Sequence, residues 1–254
     1  MFRKILILAF IYVTIVRVIT VKSVEGFQSE KYLNYIEEKV IYLTFDDGPS
    51  SNTIDVLNIL NEEDVKATFF IIGNQVDYYE DTIKKLEDSG MCILPHTNTH
   101  NYTQIYKTSE DYFKDLDLCK DKIRSVISRD PIDFVRFPGG VNNELLKNDV
   151  LNEIREKFLE DRCYFIEWNV YGFDAEITPR DSQVIYESTV NQLSNTSKAI
   201  VLLHDGYGNK NTVSSLRAII HKAKQLGYKF KTLEDITEKD FDYFVRKNVI
   251  NKRG

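Results

Sequence analysis

Cysteine is scarce in this sequence, and the few cysteines lie far apart. Only Cys92, Cys119 and Cys163 occur among 254 residues, an odd number with no Cys-x-x-Cys pair. Disulfide frameworks and thiolate zinc sites need paired or closely spaced cysteines, so neither is expected. Each cysteine lies in an apolar or helical context and is predicted to be a small, buried hydrophobic residue.

An excess of basic residues is also missing. The chain has 33 Lys and Arg against 39 Asp and Glu, a formal net charge of −6, and no basic run. Because phosphate contacts need a basic surface, nucleic acid is not expected as a partner. The 43% hydrophobic content is sufficient for a sizeable core, which excludes a disordered chain and allows one large domain or two small ones.

The sequence lacks an uncharged apolar run of the length that a membrane-spanning helix needs, about 20 residues. Residues 1–4 include the basic pair Arg3 and Lys4 and are followed by twelve uncharged, mostly apolar residues and then Arg17. This pattern predicts export. The cleavage site is poor and Arg17 could snorkel from an uncleaved anchor, so residues 1–23 are either a signal peptide or an N-terminal membrane anchor. Residues 24–39 are predicted to be a linker, and the protein is expected outside the cell or on the outer face of its membrane.

Apolar runs alternate with helical patterns from residue 40 onwards. Strands are predicted at 40–43, 67–72, 91–94, 133–137, 164–168, 198–203 and 228–230. Helices are predicted at 51–63, 75–89, 108–129, 142–162, 179–193 and 213–226. This alternation predicts an α/β fold with parallel strands, and one (β/α) barrel accommodates it better than two domains would. We expect a single domain over residues 40–237, followed by a charged tail at 238–254.

Two aspartates follow the first predicted strand, in the segment Thr44-Phe45-Asp46-Asp47-Gly48-Pro49-Ser50. Adjacent carboxylates repel each other, so a fold keeps such a pair when a cation or hydrogen-bond donors take up part of the charge. The pair therefore suggests a metal site. A turn in which these residues form only local hydrogen bonds is the alternative.

Histidine is rare, and its positions are not random. Three of the four histidines, His96, His100 and His204, follow predicted strands, and ligands bind at the carboxyl ends of parallel strands. On a helical turn His96 and His100 would face one side and bind one ion. With one carboxylate they would leave a position open for water, as catalytic zinc requires. A pair at this spacing is also common without metal, and the zincin pattern is excluded because Thr97 stands where it needs Glu.

An open metal site beside a spare carboxylate and a third histidine suits the hydrolysis of an amide or an ester. The metal polarises the carbonyl and the water, the carboxylate accepts the proton of that water, and the imidazolium donates to the leaving group. Backbone N–H groups can share the charge of the oxyanion.

Five segments resemble, in order, the motifs of the polysaccharide deacetylases, the NodB-homology domain of carbohydrate esterase family 4. They are residues 44–50, His96 to His100, Arg136 to Gly140, Trp168 to Asp174 and Leu202 to His204. The resemblance covers about residues 40–236. It implies a distorted (β/α) barrel of about seven parallel strands that removes acetyl groups from N-acetylglucosamine or other acetylated polysaccharides. Zinc, or another divalent ion such as Co²⁺ or Ni²⁺, would be the cofactor.

The resemblance also implies a role for each site residue. Asp46 would be the general base, oriented by Arg136, and His204 would be the general acid, held in its charged form by Asp174. The implied metal ligands are Asp47, His96 and His100. The implied oxyanion and substrate contacts are Gly139, Pro138, Trp168, Tyr171 and Leu202.

The sequence departs from the family pattern around the substrate. Gly139 stands where many relatives carry an aromatic residue, and Ala175 stands where they carry tryptophan. Glycine keeps the N–H but removes one wall of the groove. Trp168, Tyr171 and Phe173 are candidates to rebuild that wall from other positions.

Three functions follow from these patterns. The first is a monomeric, exported N-deacetylase of cell-wall glycan, with the N-acetylglucosamine of peptidoglycan as the expected substrate. The second is a carbohydrate-binding or wall-anchoring protein that no longer turns over. The third is a metal hydrolase that acts on a small acylated amine or ester.

Overall fold

The computed structural model describes residues 38–176, 178 and 180–252 of the chain. The strands in this part are β1 (Val40–Gly48), β2 (Thr68–Ile71), β3 (Cys92–Pro95), β4 (Phe134–Val135), β5 (Tyr164–Phe165), β6 (Val170–Tyr171), β7 (Lys198–His204) and β8 (Lys229–Phe230). The helices are α1 (Ser51–Glu62), α2 (Gly73–Val76), α3 (Glu80–Asp88), α4 (Tyr102–Ile105), α5 (Ser109–Val126), α6 (Asn148–Asp161), α7 (Ser182–Leu193), α8 (Lys210–Gln225) and α9 (Glu238–Arg246), with a 3₁₀ turn at Leu233–Asp235.

The predicted signal peptide or anchor and nearly all of the predicted linker lie outside the described residues. The same holds for Pro179, the predicted first residue of one helix. In the part of the chain that is described, no helix has the length and apolar character needed to cross a membrane.

The strands form two parallel sheets. The larger has the order β3-β2-β1-β7-β6, with β8 beside the start of β1, and the smaller consists of β4 and β5. This confirms the predicted α/β fold with parallel strands. The described residues contain eight strands rather than the predicted seven, and hydrogen bonding is not continuous around the barrel.

Alternating side chains of β1 separate two apolar layers. Ile41, Leu43 and Phe45 pack among the surrounding helices, in a cluster that includes residues of α1, α3, α7 and α8. Val40 and Tyr42 point into the other layer, which holds Phe244 of α9. Because side chains alternate along a strand, β1 is buried on both faces. The next residues that point inward from β1, Thr44 and Asp46, lie at the carboxyl end, where the interior opens.

Two predicted helices are shorter than the sequence pattern indicates. Residues 75–89 form α2 and α3 instead of one helix, and Asp77, bound by Lys122 at 2.8 Å, lies in the break. Residues 142–147 are turns, because Asn143 N–H donates to the carbonyl of Gly140 and the Asn143 side chain accepts from Leu145 N–H. The other helices differ from their predicted bounds mainly by a few residues at their ends.

The predicted strand at residues 164–168 is split. It ends at Phe165, and the unpredicted strand β6 follows at Val170–Tyr171. The carbonyls of Ile166 and Glu167 accept hydrogen bonds from the buried side chain of Arg136. This stretch of backbone therefore holds the Arg136 side chain in place.

The predicted charged tail is largely part of the packed structure. Phe244 of α9 is fully buried, and Ile250 pairs antiparallel with Ile166. The packed region therefore extends beyond residue 237, because the apolar face of α9 covers the barrel interior. The three cysteines are free and buried, as predicted.

Candidate active site

The carboxyl ends of β1, β7 and β3 bring the predicted acids and histidines together. Strands β1 and β7 pair so that Asp46 lies opposite His204. On the other side of β1, β2 connects to β3, and His96 follows directly after β3. Residues far apart in sequence thus converge at one end of the sheet, where parallel folds place their ligand sites.

Asp46 is held by a buried arginine. The Asp46 carboxylate is 3% exposed and accepts a 2.8 Å hydrogen bond from Nη1 of Arg136, which is fully buried. Nη1 also donates to Thr44 Oγ1 at 2.6 Å, and the guanidinium lies 4.2 Å from the ring centre of Phe70. With two further bonds to backbone carbonyls, Arg136 cannot move without leaving buried donors unpaired. It therefore fixes one oxygen of Asp46 and leaves the other facing the cavity.

Asp47, His96 and His100 form the one metal-ligand cluster found among the described residues. Their three potential ligand atoms lie within 4.8 Å of one another. Asp47 Oδ1 is 3.1 Å from His100 Nε2 and 3.5 Å from His96 Nε2. Two imidazole nitrogens and one carboxylate oxygen form a ligand set suited to a divalent transition metal.

The surroundings of the cluster fit a bound cation. His96 Nδ1 is 2.9 Å from the carbonyl of Arg136, so it carries the proton and Nε2 keeps its lone pair for the metal. Asp47 Oδ1 is buried and has no hydrogen-bond partner among the described residues. Burial raises the pKa of Asp47, but the facing rings of His100 and His96 outweigh it and hold the pKa well below its usual value. The carboxylate is therefore charged and available to a cation.

The two metal-site histidines lie on an irregular loop, not on the helical turn that their spacing suggested. Thr97 and His100 have positive φ angles, 66° and 53°, and such angles are rare for a β-branched residue like Thr97. The Asp115 carboxylate accepts from the N–H groups of Asn98 and Thr99 at 2.6 and 3.0 Å. These tertiary contacts hold the strained backbone in place, and helix α4 begins only at Tyr102.

His204 is paired with Asp174. Its Nδ1 lies 2.8 Å from Asp174 Oδ1, and Thr212 donates to the other carboxylate oxygen at 2.7 Å. Burial by itself lowers the pKa of His204. The adjacent Asp174 carboxylate, with Asp47 and Asp46 further away, outweighs burial and raises the pKa to about 9. His204 is therefore protonated at neutral pH and can donate a proton from Nε2.

Asp205 is a buried acid whose role sequence reasoning did not assign. Thr53 donates to its Oδ2, while Oδ1 has no partner among the described residues. Burial, with the charges of Asp47 and Asp46, raises its pKa to about 7 although the Thr53 hydroxyl opposes this. A Cβ at Gly48 would lie 2.5 Å from Asp205 Oδ2, so this close approach requires the glycine of the first motif.

Asp46, His204 and the three proposed metal ligands open onto a cavity of about 270 Å³. Its lining is Asp46, Asp47, His96, His100, Tyr102, Phe137, Gly139, Trp168, Tyr171, Ala175, Leu202 and His204. A larger cavity of about 460 Å³ lies between α6 and α9, and no carboxylate or histidine lines it. The chemistry therefore belongs to the smaller cavity.

Most predicted substrate contacts reach this cavity. Gly139, Trp168, Tyr171 and Leu202 line it. Pro138 is buried and does not line it, and its carbonyl accepts from the Tyr106 hydroxyl at 2.7 Å. Arg136 and Asp174 also lie behind the lining, each bound to a residue that reaches it.

Sequence reasoning missed Tyr102 and Phe137 as lining residues. Both stand next to predicted motif residues: Tyr102 follows His100 by two positions, and Phe137 lies between Arg136 and Pro138. The absence of an aromatic residue at position 139 was the signal that a neighbouring ring should be sought.

The sequence of this chain matches those of known proteins. The sequence profile described as polysaccharide deacetylase matches residues 34–154. A peptidoglycan-N-acetylglucosamine deacetylase of Bacillus cereus is 32% identical over 204 residues, which cover 78% of this chain and 71% of that protein. This chain belongs to the polysaccharide deacetylase family.

Other deacetylases are similar in fold or in sequence. The catalytic domain of a peptidoglycan N-acetylglucosamine deacetylase from Eubacterium rectale superposes with a TM-score of 0.72 at 29% identity, covering 77% of this chain and 88% of that one. The peptidoglycan-N-acetylmuramic acid deacetylase PdaA of Bacillus subtilis is 28% identical, covering 81% of this chain and 74% of that protein. These relatives are named for different sugars of one polymer.

Proposed function

We propose that this chain is an exported deacetylase that removes N-acetyl groups from cell-wall glycan, with the N-acetylglucosamine of peptidoglycan as its substrate. One observation carries the proposal. The orphaned Asp47 oxygen faces His96 and His100, in a cavity that also contains Asp46 and His204. A ligand set, a base and an acid thus share one small space.

Zinc is the ion that we propose for the site. Two imidazole nitrogens with one carboxylate oxygen are typical of catalytic zinc, which keeps a position for water or substrate. Co²⁺ and Ni²⁺ accept similar ligands and could support the same chemistry. A bound ion of this kind would polarise the acyl carbonyl and activate a water molecule.

Asp46 is proposed as the base. Its Oδ1 is held by Arg136 at 2.8 Å, which leaves Oδ2 to accept the proton of the attacking water. Asp46 and Asp47 are adjacent in sequence yet differ in role, because an arginine binds the first and two imidazoles face the second.

His204 is proposed as the acid. The Asp174 carboxylate keeps its ring protonated, so that Nε2 can donate to the nitrogen of the leaving amine. The N–H of Gly139 has no hydrogen-bond partner among the described residues and lies on the cavity lining. It is available to the developing oxyanion.

Exposed aromatic residues close in sequence to the site segments favour a glycan over a small acylated molecule. Among the described residues, the large aromatic side chains that remain exposed are Tyr78, Phe173 and Tyr207. The ring centre of Phe173 lies 4.5 Å from that of Tyr171, which lines the cavity, and Tyr207 follows β7, which ends at His204. Flat apolar rings left in water beside a site are suited to pack on sugar rings. The predicted export of the chain would bring it to the cell wall.

The test measures acetate release by the full chain from peptidoglycan and from chito-oligosaccharides. Turnover is expected to stop on addition of a chelator and to return with zinc. The substitution Asp46→Asn should lower kcat by about 10²- to 10⁴-fold, because it removes the proton acceptor. The matched control is Asp55→Asn, the same change at an exposed position of α1, which should leave turnover unchanged.

Turnover that survives both the chelator and Asp46→Asn contradicts the mechanism. Glycan binding without acetate release would instead support the carbohydrate-binding alternative. Release of acetate only from small acylated amines or esters would support the third function.

A further inference from the structure

In this chain the space next to Gly139 is occupied by other side chains. A Cβ built on Gly139 would lie 2.5 Å from Asn143 Nδ2 and 3.3 Å from the Tyr102 hydroxyl. Gly139 also has a φ angle of 71°, which side chains other than glycine adopt with strain. Position 139 therefore cannot supply its own wall, and other residues occupy that wall.

Tyr102 is held in this position from two sides. Its ring centre lies 5.1 Å from that of His100 and 6.1 Å from that of Tyr106. The Tyr106 hydroxyl in turn donates to the carbonyl of Pro138 at 2.7 Å, which ties this group of tilted rings to the segment that carries Gly139. The ring of Tyr102 and the N–H of Gly139 are thus parts of one fixed unit.

The Tyr102 hydroxyl has no hydrogen-bond partner in the part of the chain that the structure describes. It lies 3.3 Å from the position that a Gly139 Cβ would take, and both residues line the catalytic cavity with His100. An unpaired donor beside an unpaired backbone N–H, next to the metal ligands, is suited to an oxygen of the substrate.

We propose that Tyr102 is a catalytic residue whose hydroxyl donates a hydrogen bond to the carbonyl oxygen of the bound acetyl group, beside the N–H of Gly139. The ring replaces the wall that Gly139 lacks, and the hydroxyl adds a donor that strengthens as charge develops on that oxygen. This inference rests on the proposed deacetylation, and it adds a residue that the five motifs do not contain.

The deciding variant is Tyr102→Phe, which keeps the ring and removes the hydroxyl. In the zinc-loaded full chain, kcat for acetate release should fall by about 10- to 100-fold with little change in KM. Tyr102→Ala, which also removes the wall, should raise KM as well. A purely structural role for the ring would leave the Phe variant like the wild type.

A second measurement is independent of the glycan. Sodium acetate is titrated into the zinc-loaded wild type and into Tyr102→Phe, because an acetate oxygen can take the place of the acyl oxygen. We expect the Phe variant to bind acetate about 5- to 20-fold more weakly. Bound zinc per chain should be equal in the two proteins.

Tyr186→Phe is the matched control, since it removes the same hydroxyl from α7 and should change neither measurement. Equal kcat and equal acetate affinity in wild type and Tyr102→Phe overturn the inference. If the wild type releases no acetate from any glycan, the proposed function fails, and the acetate titration still decides the role of Tyr102.

Discussion

Strands β1 and β7 carry polar or charged side chains at both of their ends, and the two ends differ in how completely these groups are paired. Near the amino ends, Lys198 of β7 and Tyr42 of β1 both bind Asp240 of α9. At the carboxyl ends, by contrast, Asp47 Oδ1 is buried without a hydrogen-bond partner among the described residues. The same two strands thus carry two polar networks. The groups of the closed end, at the amino ends, are paired, whereas the open end, at the carboxyl ends, has an unpaired carboxylate oxygen.

The network at the amino ends is suited to stability. Lys198 and Asp240 are 2% and 3% exposed, and each compensates the charge of the other. The Tyr42 hydroxyl occupies the second Asp240 oxygen at 2.9 Å. A buried charge whose partners are all present adds order, and it leaves nothing for a ligand to bind.

The network at the carboxyl ends gives up local stability for function. Asp47, Thr97 and His100 have left-handed backbone angles, and Asp205 is a buried carboxyl group with a raised pKa. Each of these features costs free energy unless a ligand or the surrounding structure compensates it. Along these two strands, therefore, an unpaired polar atom, more than charge itself, distinguishes the active end from the other end.

The largest effect is expected when the proposed metal site at the carboxyl ends of the strands is disrupted. Replacing His100 by alanine should reduce bound zinc from one ion per chain towards zero and lower acetate release by more than about 10⁴-fold. Metal content after dialysis and acetate release are the measurements. Asp240→Asn, at the closed end, should keep its zinc, and a His100→Ala protein that retained zinc would break the comparison.

The paired network of Lys198 and Asp240, near the amino ends of the strands, should have a large effect on the free energy of unfolding. The substitution Asp240→Ala leaves Lys198 buried without its partner, so the free energy of unfolding should fall by about 3–5 kcal/mol. Urea unfolding measures the change. The double variant Lys198→Met/Asp240→Leu should recover much of the loss, because both charges are then absent. A loss below about 1 kcal/mol for Asp240→Ala would mean that the pair is not a stabilising element.

A smaller effect concerns the proton on His204. Because Asp174 raises the pKa of His204, kcat/KM should fall as pH rises towards 9, and a bound cation should move this fall to lower pH by offsetting Asp47 and Asp46. With Asp174→Asn the fall should begin at lower pH still, so that kcat/KM at pH 8 drops by about 10- to 100-fold. The pH dependence of acetate release, measured for the wild type and for Asp174→Asn, tests both expectations.

The raised pKa of His204 also makes the folding stability depend on pH. A histidine whose pKa is raised by folding stabilises the protein fully below its unfolded pKa of about 6.5, and this contribution is lost as pH rises through about 9. The metal-free wild type should therefore lose stability between these pH values, and Asp174→Asn should lose less. Asp242→Asn, the same change at an exposed position of α9, is the control. Identical pH profiles in all three proteins would refute the role of Asp174.

The smallest expected effect sharpens the description of the open end as a glycan groove. Tyr207 is 61% exposed and its hydroxyl lies 2.5 Å from that of Tyr79. Tyr207→Ala should raise KM for long oligosaccharides by about 3- to 10-fold, as expected for the loss of one stacking contact, and should leave the shortest substrates unaffected. Tyr207→Phe keeps the ring and should behave like the wild type. An equal effect on short and long substrates would argue against a distal sugar contact.

The alternation of strands and helices was predictable because apolar periodicity is local. Strand β7, for example, is a continuous apolar run and forms almost where predicted. Strand β6 was missed because Val170 and Tyr171 have no run of their own and pair only with β7. The turns at residues 142–147 and the break between α2 and α3 likewise depend on hydrogen bonds and side-chain pairs that periodicity does not contain.

The candidate site was predictable residue by residue, and its shape was not. Asp46, His96 and His204 were identified from their place after strands, and they do converge. The loop that carries His96 and His100 was expected to be helical, but contacts with Asp115 hold it in another form. Tyr102 was missed altogether because its importance depends on the space left by Gly139.

The sequence by itself determined the family, the parallel strands and the chemical identity of the acids and histidines, since periodicity and motif order are properties of neighbouring residues. Only the tertiary structure decided which oxygen of Asp47 is left unpaired and which ring stands over Gly139. It also decided that α9 packs in the same apolar cluster as Val40 and Tyr42 of β1. The reason is physical: hydrogen-bond partners, burial and the pKa values that follow from them are set by groups distant in the chain, and only folding brings these groups into contact.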